Sequence, residues 1–303
     1  MESKIVVIGS SNTDMVIKAD HFPLPGETLL GGEFLMTPGG KGANQAVAAA
    51  RLGGQVTFIT KVGQDIFGQQ AQQHFRQEGI DSRFVLQDHN FASGVALITV
   101  DKKGENTIVV ASGANGALTL RDVQNAEAEL DACSFVLLQL EIPMPTVIGT
   151  TELANKKGKK VIINPAPATV LPDSLLQDLY LLTPNRTETE TITGISITNL
   201  PSAQKAAEVL IGKGVQNVII TLGSEGALVA TNGYSKLIPA KQVVPVDTTA
   251  AGDVFNGAIA VALSEGASLE EAALFASKAA AISVTRLGAQ ASAPYRKEIS
   301  TSI

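Results

Sequence analysis

The chain has 303 residues, 45% of them hydrophobic and 17% charged, which is an ordinary profile for a folded protein. Its formal net charge of −6 argues against a general nucleic-acid or anionic-membrane surface, although a local basic patch stays open. A single cysteine excludes a disulfide framework, and no apolar run approaches membrane-spanning length.

From the N-terminus, MESKIVVIGS holds one short apolar run without a signal-peptide layout, so a cytoplasmic location is expected. KIVVIG reads as a buried strand that runs directly into Ser10, Ser11, Asn12, Thr13 and Asp14. Residues 15–35 read as short strands broken by Pro, Gly and Asp, with no helix between them. GGKGANQAVAAARLG follows, a glycine-rich turn with a lysine ahead of an Ala-rich helix. Its small residues suit either an approach of backbone N–H groups to an anionic ligand or a tight turn with close helix packing. It has neither the Walker A frame nor the G-x-G-x-x-G fingerprint.

QVTFIT is the next strand, and DIFGQQAQQHFRQEG the next helix, which carries His74 on an amphipathic stretch. Residues 94–110 again look like strands without helices, and with 15–35 they suggest a small appended sheet. After that the alternation is regular. TLRDVQNAEAEL, PTVIGTTELANKKG and SAQKAAEVLIGKG read as helices between the strands SFVLLQL, KKVIIN, DLYLLTPN and NVIITLG. Such alternation predicts an α/β fold with a mainly parallel sheet. Cys133, in ACSFVLLQ, reads as a core residue. His21, His74 and His89 lie at no ligand spacing from one another, and no G-x-S-x-G elbow occurs.

Several apolar runs end in polar or glycine residues: Asp14, Glu141, Asn185 and Gly223 each follow one closely. In an open α/β sheet such ends converge on a cleft. TPNRTETE sets Asn185 and Glu188 three apart, which fits a helix cap or a water-mediated Mg²⁺ site. TLGSEGALV fits a hairpin turn or a phosphate-holding loop. In DTTAAGDVFNGA, Ala250, Ala251 and Gly252 turn into a helix, and their N–H groups would form an anion hole with Asp253 at its rim. The helix dipole is expected to keep Asp253 ionised, a weak base suited to phosphoryl transfer. Two Ala-rich helices close the chain, the second opened by a capping-box pair, Ser268 and Glu271.

Taken in order, GGKGANQAVAAARLG, INPAPA, TPNRTE, TLGSEG and DTTAAGDVFNGA resemble the ribokinase family, in the phosphofructokinase-B group of sugar kinases, over nearly the whole chain. The resemblance implies one domain, a three-layer α/β/α core with a central mainly parallel sheet, and a β-sheet lid formed by about 15–35 and 94–110 that often makes a homodimer. It implies transfer of the ATP γ-phosphoryl group to a sugar hydroxyl, O5 for D-ribose. Asp253 then matches the catalytic base, and Ala250, Ala251 and Gly252 the anion hole. Asn12, Asp14, Gly40, Lys41, Gly42, Asn44 and Glu141 match sugar contacts. Asn185, Glu188, Thr221, Gly223, Ser224, Glu225, Gly226, Gly252 and Ser277 match nucleotide contacts, with Glu188 reaching Mg²⁺ through water. Asp247, Thr249, Ser283, Arg286, Gly288 and Ser292 match positions around a monovalent cation, usually K⁺. Many members of the group have glycine where this chain has Ala250, which is less free than glycine if positive φ is required there. Other readings are a kinase of another sugar or of a nucleoside, and a catalytically silent sugar sensor. The 4% aromatic content disfavours a nucleoside slot, and the intact Asp253 motif disfavours a sensor.

Overall fold

The structure, a computed structural model, describes residues 4–30 and 32–300. Gly31, inside the first of the two stretches expected to form the lid, lies outside the described residues, as do Met1, Glu2 and Ser3 of the N-terminal run. The strands are β1 Lys4–Ile8, β2 Asn12–Lys18, β3 Glu33–Gly39, β4 Gln55–Gly63, β5 Val85–Asp88, β6 Gly94–Val100, β7 Asn106–Ala111, β8 Phe135–Leu138, β9 Lys160–Ile163, β10 Leu181–Leu182, β11 Asn217–Thr221, β12 Ala227–Thr231 and β13 Tyr234–Ile238. The helices are α1 Lys41–Arg51, α2 Ile66–Gln77, α3 Leu120–Gln124, α4 Glu127–Ala132, α5 Met144–Lys156, α6 Asp173–Leu176, α7 Arg186–Thr193, α8 Leu200–Gly212, α9 Ala251–Ser264, α10 Leu269–Ser283 and α11 Arg296–Ser300.

The large sheet runs β13-β12-β11-β10-β9-β8-β1-β4-β5. Its strands are parallel from β5 to β11, and only the β11–β12 and β12–β13 pairings are antiparallel. Period-two alternation in the strands divides the core into two layers. Ile5, Val7, Leu137 and Ile162 face α1, α9 and α10, whereas Val6, Ile8, Leu138 and Ile163 face α5 and α8. These side chains are fully buried, worth roughly 1.5–3 kcal/mol each in removal from water. Helices on both faces complete the expected three-layer α/β/α arrangement.

The predicted elements hold with three differences. TLRDVQNAEAEL is two short helices, α3 and α4, because Thr119 and Asp122 close a capping box that starts the first and Ala126 starts the second. DLYLLTPN keeps only two strand residues. Pro184 brings no N–H to the sheet, and the chain turns at once into α7. The small sheet, ordered β3-β2-β6-β7, is wider than the two predicted stretches: β2 begins at Asn12 and β3 ends at Gly39. Residues 19–32 between them carry no strand among those described. The buried Cys133 is a core residue, and burial pushes its thiol up to about 11.

Candidate active site

The strand order reverses at β1, which lies between β4 and β8, so the crevice beyond its carboxyl end is where an open α/β sheet places its ligands. From that end the chain leaves for the small sheet and returns through Gly40 into α1. Gly40 has φ 89°, and a Cβ there would meet Asn12 N at 2.7 Å, so both conformation and space call for glycine. The start of α1 sits directly on the β1 exit: Ala43 N–H donates to Ser10 O at 2.8 Å. Glu141, just beyond β8, accepts from Ser10 Oγ (2.5 Å) and from Lys41 N–H (3.0 Å). Gly42 is buried, and a Cβ on it would lie 2.6 Å from Gly9 C and Ser10 N. Of the two readings open for the glycine-rich stretch, close helix packing is the one the geometry gives at Gly42.

Helix α9 delivers the other half. Asp253, 6% exposed, accepts from Asn44 Nδ2 (2.9 Å) through Oδ2 and from Gln45 Nε2 (3.0 Å) through Oδ1. Burial raises its pKa above the ordinary aspartate value, against the opposing pull of Lys41 and of the two amide donors. The helix dipole expected to favour ionised Asp253 is thus opposed by the enclosure of the carboxylate beneath α1. Ala250 caps α9 in the left-handed region, φ 58°, a conformation that costs an alanine about 1–2 kcal/mol relative to right-handed backbone. Ala251 N–H donates to Thr248 O at 3.3 Å. Among the described residues, no carbonyl or side chain accepts from Gly252 or Asp253 N–H.

Lys41 is surrounded by carboxylates. Burial alone would strip its charge, but Asp253, Glu141, Glu188 and Asp14 outweigh burial and hold its pKa above the usual lysine value. Burial, with Glu141 and Asp253, pushes Asp14 up to about 6. Burial likewise pushes Glu188 up to about 7, in spite of its bond to Asn185 N–H and its proximity to Lys41. The cluster suits a ligand that supplies several hydroxyl donors or a cation. Asn12, at the entrance to the small sheet, has Oδ1 committed to Asn115 Nδ2 at 2.7 Å, which leaves its amide donor for a ligand.

Next to this cleft lies a cavity of about 530 Å³. Asn185, Thr221, Gly223, Ser224, Gly226, Gly252 and Ser277, all assigned above to a nucleotide, line it. Glu225 does not line it; its carboxylate pairs with Arg186 at 2.6 Å. Lys241, Gln242 and Val243 line it too, and sequence reasoning missed them because 239–250 has no regular structure to mark it; Phe255 of α9 completes the wall. Asn185 and Glu188 form a reciprocal cap on α7: Glu188 N–H donates to Asn185 Oδ1, and Asn185 N–H to Glu188 Oε2, each at 2.8 Å. The cap reading is thus satisfied, and the carboxylate keeps lone pairs for water. No cluster of three or more His, Cys, Asp or Glu fit to hold a metal occurs among the described residues. Asp247 joins two loops, accepting from Thr249 N–H and Gly288 N–H at 2.9 Å each. Ser283 and Ser292 hydroxyls bond locally to Ala280 O and Ala289 O, and Arg286 pairs with Glu298. His74 bonds Gln290 Oε1 at 2.8 Å, in keeping with a boundary position.

The residues sequence reasoning missed nearest the site are Gln45, Asn115, Gln139 and Asn164; Ser10 was read only as one of the polar residues that follow the first strand. Each is a polar residue within or beside a run read for other reasons, and full burial is the signal that singles them out.

Residues 2–296 match the model of the pfkB family carbohydrate kinases. A ribokinase of Haemophilus influenzae is 46% identical over 298 residues, which cover 98% of this chain and 97% of that one. Among solved structures, a ribokinase from Thermotoga maritima superposes with a TM-score of 0.90 at 42% identity, covering 99% of this chain and 98% of that one. An Arabidopsis thaliana ribokinase complexed with ribose and ATP gives 0.92 at 33% identity, with the same coverage. The chain belongs to the pfkB family of carbohydrate kinases. No described helix is long and apolar enough to cross a membrane.

Proposed function

We propose that this pfkB-family chain is an ATP-dependent ribokinase that transfers the γ-phosphoryl group to O5 of D-ribose, with Asp253 as the base. One observation carries the reading: Asp253 sits at the junction of the acidic cleft and the 530 Å³ cavity, whose wall includes the adjoining Gly252. The sugar occupies the cleft. Asp14, Asn12, Lys41, Asn44 and Glu141 offer carboxylate, amide and ammonium partners for adjacent hydroxyls. Asn44 Oδ1 is buried and without a partner, so it is free to accept from a hydroxyl.

ATP lies in the cavity with its γ-phosphate toward α9. As O5 attacks phosphorus, Asp253 accepts the O5 proton, the bond to the β-phosphate oxygen breaks, and ADP leaves. The free N–H groups of Gly252 and Asp253 stabilise the charge on the transferring oxygens. The raised proton affinity of Asp253 makes it a better acceptor than an exposed aspartate.

Glu188 would hold Mg²⁺ through water, and the ion would neutralise phosphate charge; burial, which raises the pKa of this carboxyl, makes a nearby cation favourable to its ionised form. The loops joined by Asp247, with the residues assigned to the cation, would hold K⁺.

The test is ADP release across a panel of sugars, repeated with Mg²⁺ chelated and with K⁺ replaced by a large organic cation. D-ribose is expected to exceed 2-deoxyribose, ketohexoses and nucleosides, and both ion treatments to lower the rate. Release with ribose no greater than with water would sink the reading.

The small sheet supports a second part, a lid that pairs two copies. Asp14 lies on its cleft side; by strand alternation the Met15, Met36, Leu97 and Val109 row faces away. Met36, Leu97 and Val109 are 46%, 56% and 69% exposed, an apolar face of the kind that marks an interface. The chain is expected to sediment as a dimer, and the double variant Leu97→Glu, Val109→Glu as a monomer. A monomeric parent chain at micromolar concentration would exclude this interface.

A further inference from the structure

We propose that Gln45 is a positioning residue, which locks the Asp253 carboxylate to the first turn of α9 through a closed ring of hydrogen bonds. The inference rests on the reading of Asp253 as the base. Gln45 is fully buried, and its Nε2 donates both to Asp253 Oδ1 and to Asn164 Oδ1, at 3.0 Å each. Asn164, just past β9, passes the chain on from Nδ2 to Thr183 O at 3.2 Å. Thr183 Oγ1 donates to Asn256 Oδ1 at 2.5 Å, and Asn256 Nδ2 to Gly252 O at 2.8 Å. Gly252 precedes Asp253, so the peptide bond between them closes the ring.

Two features separate this ring from incidental core polarity. The first is its direction. Gln139 Nε2 donates to Gln45 Oε1 at 2.6 Å, which fixes the sense of the Gln45 amide; the later donors follow in one sense, with Ile163 O a longer second acceptor for Thr183 Oγ1 at 3.3 Å. The second is what it displaces. Apolar side chains would fill this interior without the cost of taking amides out of water, so the ring spends stability on geometry. The two donors to Asp253 also differ. Asn44 faces the cleft with an unpartnered Oδ1 and can turn toward a ligand, whereas Gln45 is held on both ends. Gln45 is thus the donor that stays with Asp253 through the catalytic cycle.

The test is Gln45→Met in the full chain, with kcat and KM for ribose followed against pH. The charged groups that face Asp253, namely Lys41, Glu141, Asp14 and Glu188, are unchanged by it. A donor to a carboxylate favours its ionised form, and Asp253 must be ionised to accept a proton. Loss of the donor therefore moves the acid limb of the kcat profile upward by about one to two pH units. Loss of alignment lowers plateau kcat by about 10–100-fold, with KM within about threefold. A purely structural brace would lower stability and leave the limb in place, and that result overturns the proposal. Should Gln45→Met not fold, Gln139→Leu takes its place, expected to shift the limb in the same direction; an unmoved limb there is equally fatal. Asp253→Ala is run alongside. Full activity in it would defeat the base assignment itself, whereas an inactive Asp253→Ala beside an unmoved limb defeats only the role of Gln45.

Discussion

Asp253→Ala is expected to lower ribose-dependent ADP release by about 10²–10⁴-fold while ribose still binds. The size follows from what the side chain does. None of the side chains next to Asp253 replaces it: Lys41 is held protonated by its carboxylate neighbours, and Asn44 and Gln45, which hydrogen-bond the carboxylate, carry no titratable proton. The remaining rate comes from the Gly252 and Asp253 N–H groups and from positioning, which the substitution keeps. Binding survives because Asp14, Asn12, Lys41 and Glu141 hold the sugar from other elements. Calorimetric titration of ribose and a thermal midpoint, read beside the rate, separate lost chemistry from lost fold. A loss under tenfold in a folded variant would remove Asp253 from the base role.

The parts of the site that were legible in sequence are those whose determinants are local. Asn185 and Glu188 lie three apart, and the cap they predict is the cap observed. The alternation of KIVVI and FVLL divides their side chains between two core layers, which is why the parallel sheet could be read at all. Ala250 was marked as the position where an alanine would be strained if φ were positive, and it is. What could not be read depends on partners far away in the chain. The surroundings of Asp253 are not set by its own helix alone: Gln45 and Asn44 reach it across 208 and 209 residues. The amide ring is illegible for the same reason. Gln45, Asn164 and Asn256 each sit in a stretch that reads as helix or strand, and nothing local says that they meet.

Lys41, Asn44 and Gln45 all ride on α1, so the fit of that helix sets the site, and Gly42→Ala is expected to lower kcat/KM by about 10²-fold. The added Cβ would lie 2.6 Å from Gly9 C and Ser10 N, both backbone atoms of the strand exit that cannot rotate aside. Helix α1 must then move outward by roughly 1 Å to reach ordinary contact. It has nowhere to go. On its far side Gly257 of α9 is packed so closely that a Cβ there would be 2.7 Å from Gln45 O. The helix is wedged between β1 and α9, and displacement either shifts Lys41, Asn44 and Gln45 together or drives α9 and Asp253 with them. A misplacement near 1 Å is enough for about a 10²-fold loss. The overpacking is expected to cost about 1–3 kcal/mol in chemical unfolding. Gly212→Ala serves as the matched control, since it lies in the last turn of α8 with no atom near the new Cβ, and should leave both quantities unchanged or stability slightly raised. If Gly42→Ala kept full kcat/KM, the close seat of α1 on β1 would be a packing feature alone, and the alignment of the catalytic groups would have to come from elsewhere.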